Sequence, residues 1–92
     1  MSESKEQRKI IKLLEKNGYW VVKVISANKD GVPDLIACET RTGLFVAFEV
    51  KRPDGEGDTR AIQDYQLRKI RETGGRAYIV ETVGEVKLIL GL

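Results

Sequence analysis

Gly31-Val32-Pro33-Asp34-Leu35-Ile36-Ala37-Cys38, then Glu39-Thr40-Arg41-Thr42-Gly43, then Leu44-Phe45-Val46-Ala47-Phe48-Glu49-Val50-Lys51 is the stretch whose reading decides the fold. Two apolar runs flank a short polar segment that ends in glycine, the pattern of a β-hairpin. These runs carry three charges that an ordinary hairpin core would not choose. Asp34 opens the first run, and Glu49 and Lys51 close the second. Antiparallel pairing sets the start of one run beside the end of the other, so Asp34 and Glu49 meet at one end of the sheet. Side chains alternate faces along a strand, so Glu49 and Lys51 share a face. Two carboxylates and an ammonium therefore converge at one edge.

Working outward, the residues before the hairpin read as a helix and a strand. Ile10, Leu13, Leu14 and Asn17 recur at helical spacing from about Ser4 to Lys16, with Ser4 and Gln7 as a capping box and Asn17-Gly18 as a stop. Glu6 lies four before Ile10 and continues the buried stripe, and Glu3 shares that side. Either glutamate is ordinary near a helix N-terminus, or one of them reaches the charged edge of the hairpin. Tyr19 to Ile25 is β-branched and aromatic and reads as a strand. The polar loop Ser26 to Gly31 follows, and its Lys29 is either solvated or a phosphate contact. Pro33 suits a strand start or edge and fixes the backbone just ahead of Asp34.

After the hairpin, Arg52 to Asp58 holds two glycines and a proline and reads as a loop, with Thr59 as the cap of a second helix. Its expected inner stripe is Ile62, Tyr65, Gln66, Ile70 and Thr73, and Gly74-Gly75 ends it. Gln63 and Gln66 are three apart and share one side of this helix. Arg60, Arg68, Lys69 and Arg71 mark a solvated face or phosphate contacts. Arg76 to Glu81 reads as the last strand. Thr82 with Glu85 caps a final helix, with Val83, Val86, Ile89 and Leu90 inward. The expected fold is α/β, with a mixed sheet flanked by helices on both faces.

Composition narrows the function classes. Ninety-two residues form one domain, 1–92. At 41% apolar and 33% charged, the chain reads as folded and not as disordered. A net charge of 16 − 14 = +2 does not by itself point to nucleic acid. The lone Cys38 excludes an internal disulfide, and the absence of histidine excludes imidazole catalysis and imidazole zinc sites. No apolar run reaches membrane-spanning length, and the N-terminus lacks a signal peptide's apolar segment, so the expected location is intracellular and no membrane is involved.

Hydrolysing a phosphodiester needs an activated water and neutralisation of developing charge, which hard cations supply through carboxylate, carbonyl and water ligands. Asp34, Glu49 and the Val50 carbonyl are suitable ligands for Mg²⁺, with Mn²⁺ as a substitute. Lys51 would orient or deprotonate the attacking water, or stabilise the charge that develops. The competing reading is a purely structural ion network. It must meet the cost of clustering charges at the ends of apolar strands.

These residues resemble the PD-(D/E)xK nuclease superfamily. The match is Pro33-Asp34 followed fifteen positions on by Glu49-Val50-Lys51. The element order matches that restriction-endonuclease-like core: α-β-β-β-α-β, here with an extra C-terminal helix. Gly31-Val32-Pro33-Asp34-Leu35, Phe48-Glu49-Val50-Lys51 with Pro53, and Gln63 eleven before Gly74 look like the VRR-NUC family. The resemblance implies a metal-dependent nuclease acting on branched or structured DNA in replication and repair. It implies Asp34, Glu49 and the Val50 carbonyl as metal ligands, Lys51 as catalytic, and Gln63 beside the site. Glu3 or Glu6 maps onto the family's first-helix glutamate. Lys29, Arg52, Arg60, Gln66 and Arg68 are candidate DNA contacts. Stand-alone members resemble Holliday junction resolvases, which implies a homodimer. Candidate dimer surfaces are Tyr19, Trp20, Leu90 and Leu92. No small-molecule cofactor is expected. The alternatives are a nuclease for flaps, nicked or duplex DNA, and a DNA-binding module without catalysis.

Overall fold

The computed structural model describes residues 4–52 and 60–92. Its elements run α1 (Lys5–Lys16), β1 (Trp20–Lys23), β2 (Leu35–Cys38), β3 (Phe45–Val50), α2 (Arg60–Glu72), β4 (Arg76–Val80) and α3 (Val83–Leu90). The expected order of elements is thus the observed one. Glu3, the loop Pro53 to Asp58 and the expected Thr59 cap lie outside the described residues.

The hairpin closes through a glycine with left-handed backbone. Gly43 has φ of +70°, a conformation that a Cβ disfavours. Its N–H donates to the Glu39 carbonyl at 2.9 Å, and Glu39 N–H donates to the Leu44 carbonyl at 3.0 Å. Beyond the turn, β2 and β3 pair antiparallel with Leu35 opposite Phe48. Strand β1 adds to β2 antiparallel, and β4 adds to β3 parallel, for a sheet order of β1-β2-β3-β4. Strand β3 has neighbours on both sides and is buried from Val46 to Val50, as its nearly unbroken apolar run demands.

Alternation along β3 sorts the core into two layers. Val46, Phe48 and Val50 pack with Leu35, Ala37 and Val80 against Ile10 and Leu14 of α1 and Val86 of α3. Ala47 and Ala77 face the other way, where Leu67 of α2 sits on them with Ile36 and Ile70. So α1 and α3 cover one face, and α2 covers the other.

Three local expectations need correction. Strand β1 ends at Lys23, short of Ile25, which is 80% exposed. The pairing register sets Ile25 opposite Pro33, one position beyond the last paired rung. The last rung is Val24 N–H to the Asp34 carbonyl at 2.8 Å. Helix α2 is rotated from its expected stripe. Leu67 is the buried residue, whereas Ile62 and Tyr65 are 39% and 44% exposed. The small side chains of Ala47 and Ala77 leave space beneath Leu67, and that fit sets the rotation. Finally, the Ser4 cap forms only in part. Ser4 Oγ accepts from Gln7 N–H at 3.0 Å, but Gln7 Oε1 has no partner among the described residues. The Thr82–Glu85 box is complete.

Candidate active site

Strand register builds the carboxylate pair. Continuing the β2–β3 pairing by one position sets Asp34 directly opposite Glu49. Their side chains point to the face covered by α2, since Glu49 alternates in step with Ala47. Asp34 is held at both ends: its carbonyl accepts from Val24 N–H at 2.8 Å, and its Oδ2 accepts from Val50 N–H at 2.9 Å. A strand residue sends its N–H and C=O toward the same neighbour. The Val50 carbonyl therefore faces the Asp34 side, opposite Pro33, which offers no N–H to take it up.

Glu49 is buried, with 5% of its surface exposed. Burial and the adjacent Asp34 charge push its carboxyl up to about 8, against the pull of Lys51, and a hydrogen bond to Asp34 adds to the rise. Glu49 Oε1 is buried and has no hydrogen-bond partner among the described residues. Buried acceptors are rarely left unpaired. A buried oxygen beside a second carboxylate and a backbone carbonyl is the donor set that a hard divalent cation takes. The residues therefore fit Mg²⁺ or Mn²⁺.

Lys51 continues past β3, anchored by its N–H to the Val80 carbonyl at 2.8 Å. Its ammonium donates to Gln63 Oε1 on α2. Lys51 thus sits on the α2 face with Glu49, held by the glutamine of the helix above. The fold brings Asp34, Glu49, Lys51 and Gln63 together.

The other sequence candidates lie elsewhere. Glu6 belongs to α1, on the opposite face of the sheet. Its Oε1 accepts from Val83 N–H at 3.0 Å, at the N-terminus of α3, and its Oε2 lies 3.3 Å from Lys9 Nζ. The Val83 N–H and then Lys9 hold its carboxyl below the usual range. Among the described residues no three carboxylate or thiol side chains gather round a common point, so Glu6 is not part of the Asp34–Glu49 pair. Lys29, Arg52, Arg60 and Arg68 are all exposed, and Arg68 lies over the Tyr65 ring at 5.4 Å. Gln66 is half-buried, and its Nε2 is engaged within the protein, donating to the Asp30 carbonyl at 3.0 Å. Tyr19, expected on a dimer surface, is only 7% exposed, and its hydroxyl donates to Glu39 Oε2 at 3.0 Å. Trp20 is 62% exposed. Reading the sequence did not find the bond between Gln66 and the loop before Asp34. Its only sequence signal is the glycine three residues ahead of that aspartate.

A mixed sheet between helices, with an aspartate facing a glutamate and a lysine two positions on, defines a restriction-endonuclease-like domain of the PD-(D/E)xK type. The family model of the archaeal Holliday junction resolvase (Hjc) matches residues 2–90, and the chain belongs to that family. A solved VRR_NUC domain shares the fold at a TM-score of 0.74, with 22% identity over 97% of each chain. Archaeoglobus fulgidus Hjc, a Holliday junction resolvase from an archaeal hyperthermophile, does so at 0.59, with 22% identity over 87% of this chain and 69% of that one. No curated protein matches the chain in sequence. Among the described residues no helix is long and apolar enough to cross a membrane.

Proposed function

We propose that this protein is a divalent-metal-dependent endonuclease that cuts branched DNA, four-way junctions foremost, as a two-fold dimer inside the cell. The observation that carries the reading is the buried Asp34–Glu49 pair, with Glu49 Oε1 unpaired among the described residues and Lys51 on the same face. Membership of the resolvase family supports the substrate class.

Asp34, Glu49 and the Val50 carbonyl would hold Mg²⁺, which supplies acidity to water and neutralises charge on the scissile phosphate. The chain's own residues do the rest. The Val50 N–H fixes the Asp34 carboxylate, so its second oxygen is aimed before any ligand arrives. Gln63 accepts a hydrogen bond from Lys51 and so holds the ammonium on the site's face, where it would orient the attacking water or meet a phosphate oxygen. The exposed cations Lys29, Arg52, Arg60 and Arg68 would meet the backbone phosphates.

Two cuts placed symmetrically across a junction need two sites related by a two-fold axis. Helix α2 leaves the β1 end of its sheet face open, where Trp20 and Val22 are 62% and 38% exposed. That apolar strip supports pairing with a second copy.

The test is cleavage of a labelled four-way junction against flap, nicked and plain duplex DNA, with and without Mg²⁺. Asp34→Ala, Glu49→Ala and Lys51→Ala are expected to abolish cleavage with folding retained. Full activity in Asp34→Ala refutes the site, and equal rates on duplex and junction refute the branched substrate.

A further inference from the structure

Helix α2 touches the site twice. Gln63 accepts from the Lys51 ammonium, and one turn on, Gln66 donates to the Asp30 carbonyl at 3.0 Å. Between these contacts and Asp34 lies a backbone with little slack. Gly31 has φ of +78°, and it lies so close to α2 that a Cβ there would stand 2.7 Å from the Ile62 carbonyl oxygen. No real Cβ approaches that near, so the loop rests backbone to backbone on the first turn of the helix. Val32 is restricted by the proline after it. Pro33 is fully buried and has φ fixed by its ring. Next is Asp34, tied to Val24 and Val50. A shift at Asp30 or Gly31 therefore has few torsions to absorb it before it reaches the carboxylate.

We propose that Gln66, with Gly31 seated on Ile62, is a positioning residue that sets the metal affinity of the Asp34–Glu49 pair and does not contact DNA. The inference rests on the metal-site reading above. It assigns the two glutamines of α2 separate tasks. Gln63 acts on the lysine and hence on the chemical step. Gln66 acts on the loop that aims the aspartate, as outer partners of metal ligands do. It also accounts for the glycine, because no other residue brings the loop this near the helix.

The experiment is Mn²⁺ calorimetry on the DNA-free protein, wild type against Gln66→Met, which keeps side-chain length but removes the donor. Junction affinity is measured in parallel without metal, and cleavage is followed across a Mg²⁺ series. Gln66→Met is expected to bind Mn²⁺ about tenfold more weakly. It should need correspondingly more Mg²⁺ for half-maximal cleavage, yet approach the wild-type rate at saturation and bind junction DNA unchanged. Gly31→Ala, checked for a cooperative melt, is expected to lose more metal affinity than Gln66→Met. Unchanged Mn²⁺ affinity in Gln66→Met overturns the inference. So does weaker junction binding with metal affinity intact, which would make Gln66 a DNA contact. Absence of Mn²⁺ uptake by the wild type is a separate result. It sinks the metal site itself.

Discussion

Glu49→Gln at a series of pH values tests whether the buried carboxylate is the strained centre of the site. The wild-type carboxyl titrates near 8 instead of 4.5, chiefly through burial and then the Asp34 charge. Its pKa is raised on folding, so the folded state holds the proton more tightly. Stability from this group is therefore complete below about 4.5 and is lost as pH climbs toward 8. At about 1.4 kcal/mol per pH unit the gap between 4.5 and about 8 sets an upper bound of about 5 kcal/mol above pH 8, which solvent screening and sharing of the titration with Asp34 cut to roughly half. Glutamine mimics the protonated form and removes this dependence. In metal-free buffer, Glu49→Gln should melt close to wild type near pH 4.5 and roughly 10 °C higher at pH 7.5, on the usual scale for a domain of this size. The same titration predicts proton release. At pH 7 a carboxyl with a pKa of about 8 is mostly protonated, so cation uptake should expel close to one proton. Calorimetry in buffers of different ionisation heat reads this directly. Melting curves of wild type and Glu49→Gln that run parallel across pH, or Mn²⁺ uptake without proton release, would refute the burial argument.

Four further outcomes are expected. Gln63→Ala should slow cleavage at saturating Mg²⁺ and leave Mn²⁺ affinity near wild type, because Gln63 holds Lys51 and not the carboxylates. Loss of metal binding without loss of rate would reverse that assignment. Glu6→Gln should lower the melting temperature by weakening the cap on Val83 and leave the Mn²⁺ isotherm in place. A weakened isotherm would return Glu6 to the site. Leu67→Ala empties the contact between α2 and the two alanines of the sheet, and should cost about 2 to 5 kcal/mol in urea unfolding. Trp20→Glu sets a charge on the open sheet face and should halve the light-scattering mass of the proposed dimer, whereas an unchanged mass moves the proposed interface elsewhere.

Which parts of this molecule could be read in the sequence follows from the range of each interaction. The hairpin, the Asp34–Glu49 pairing and the shared face of Lys51 come from strand alternation and a short turn, and both act over neighbouring residues. The register needed no tertiary information: Gly43 sets the turn, and the apolar runs admit one pairing that buries them. The errors arise where two elements meet. Periodicity weighs apolar residues alike and so runs the stripe on α2 through Ile62 and Tyr65. The sheet selects Leu67, which sinks onto the small side chains of Ala47 and Ala77. The first-helix glutamate shows the same effect. Glu6 continues the stripe of α1 toward the core, as expected, but α3 packs beside α1 and offers its N-terminal N–H groups first. A helix N-terminus attracts carboxylates, so Glu6 satisfies Val83 on the far side of the sheet from Asp34.

Gln66 marks the limit of pattern reading more sharply. Three residues from Gln63 on one helix, it presents the same chemistry in sequence, and a row of polar side chains beside cations suggests contact with a phosphate backbone. The fold divides them by what lies opposite each. Lys51 lies opposite Gln63, and a loop carbonyl lies opposite Gln66. Helix α2 is therefore a brace joining the aspartate's loop to the lysine's strand, and its seat on Ala47 and Ala77 fixes the distance between them. On this argument, replacing either alanine with valine should disturb metal affinity and cleavage together. Raising α2 lifts Gln63 and Gln66 as one body.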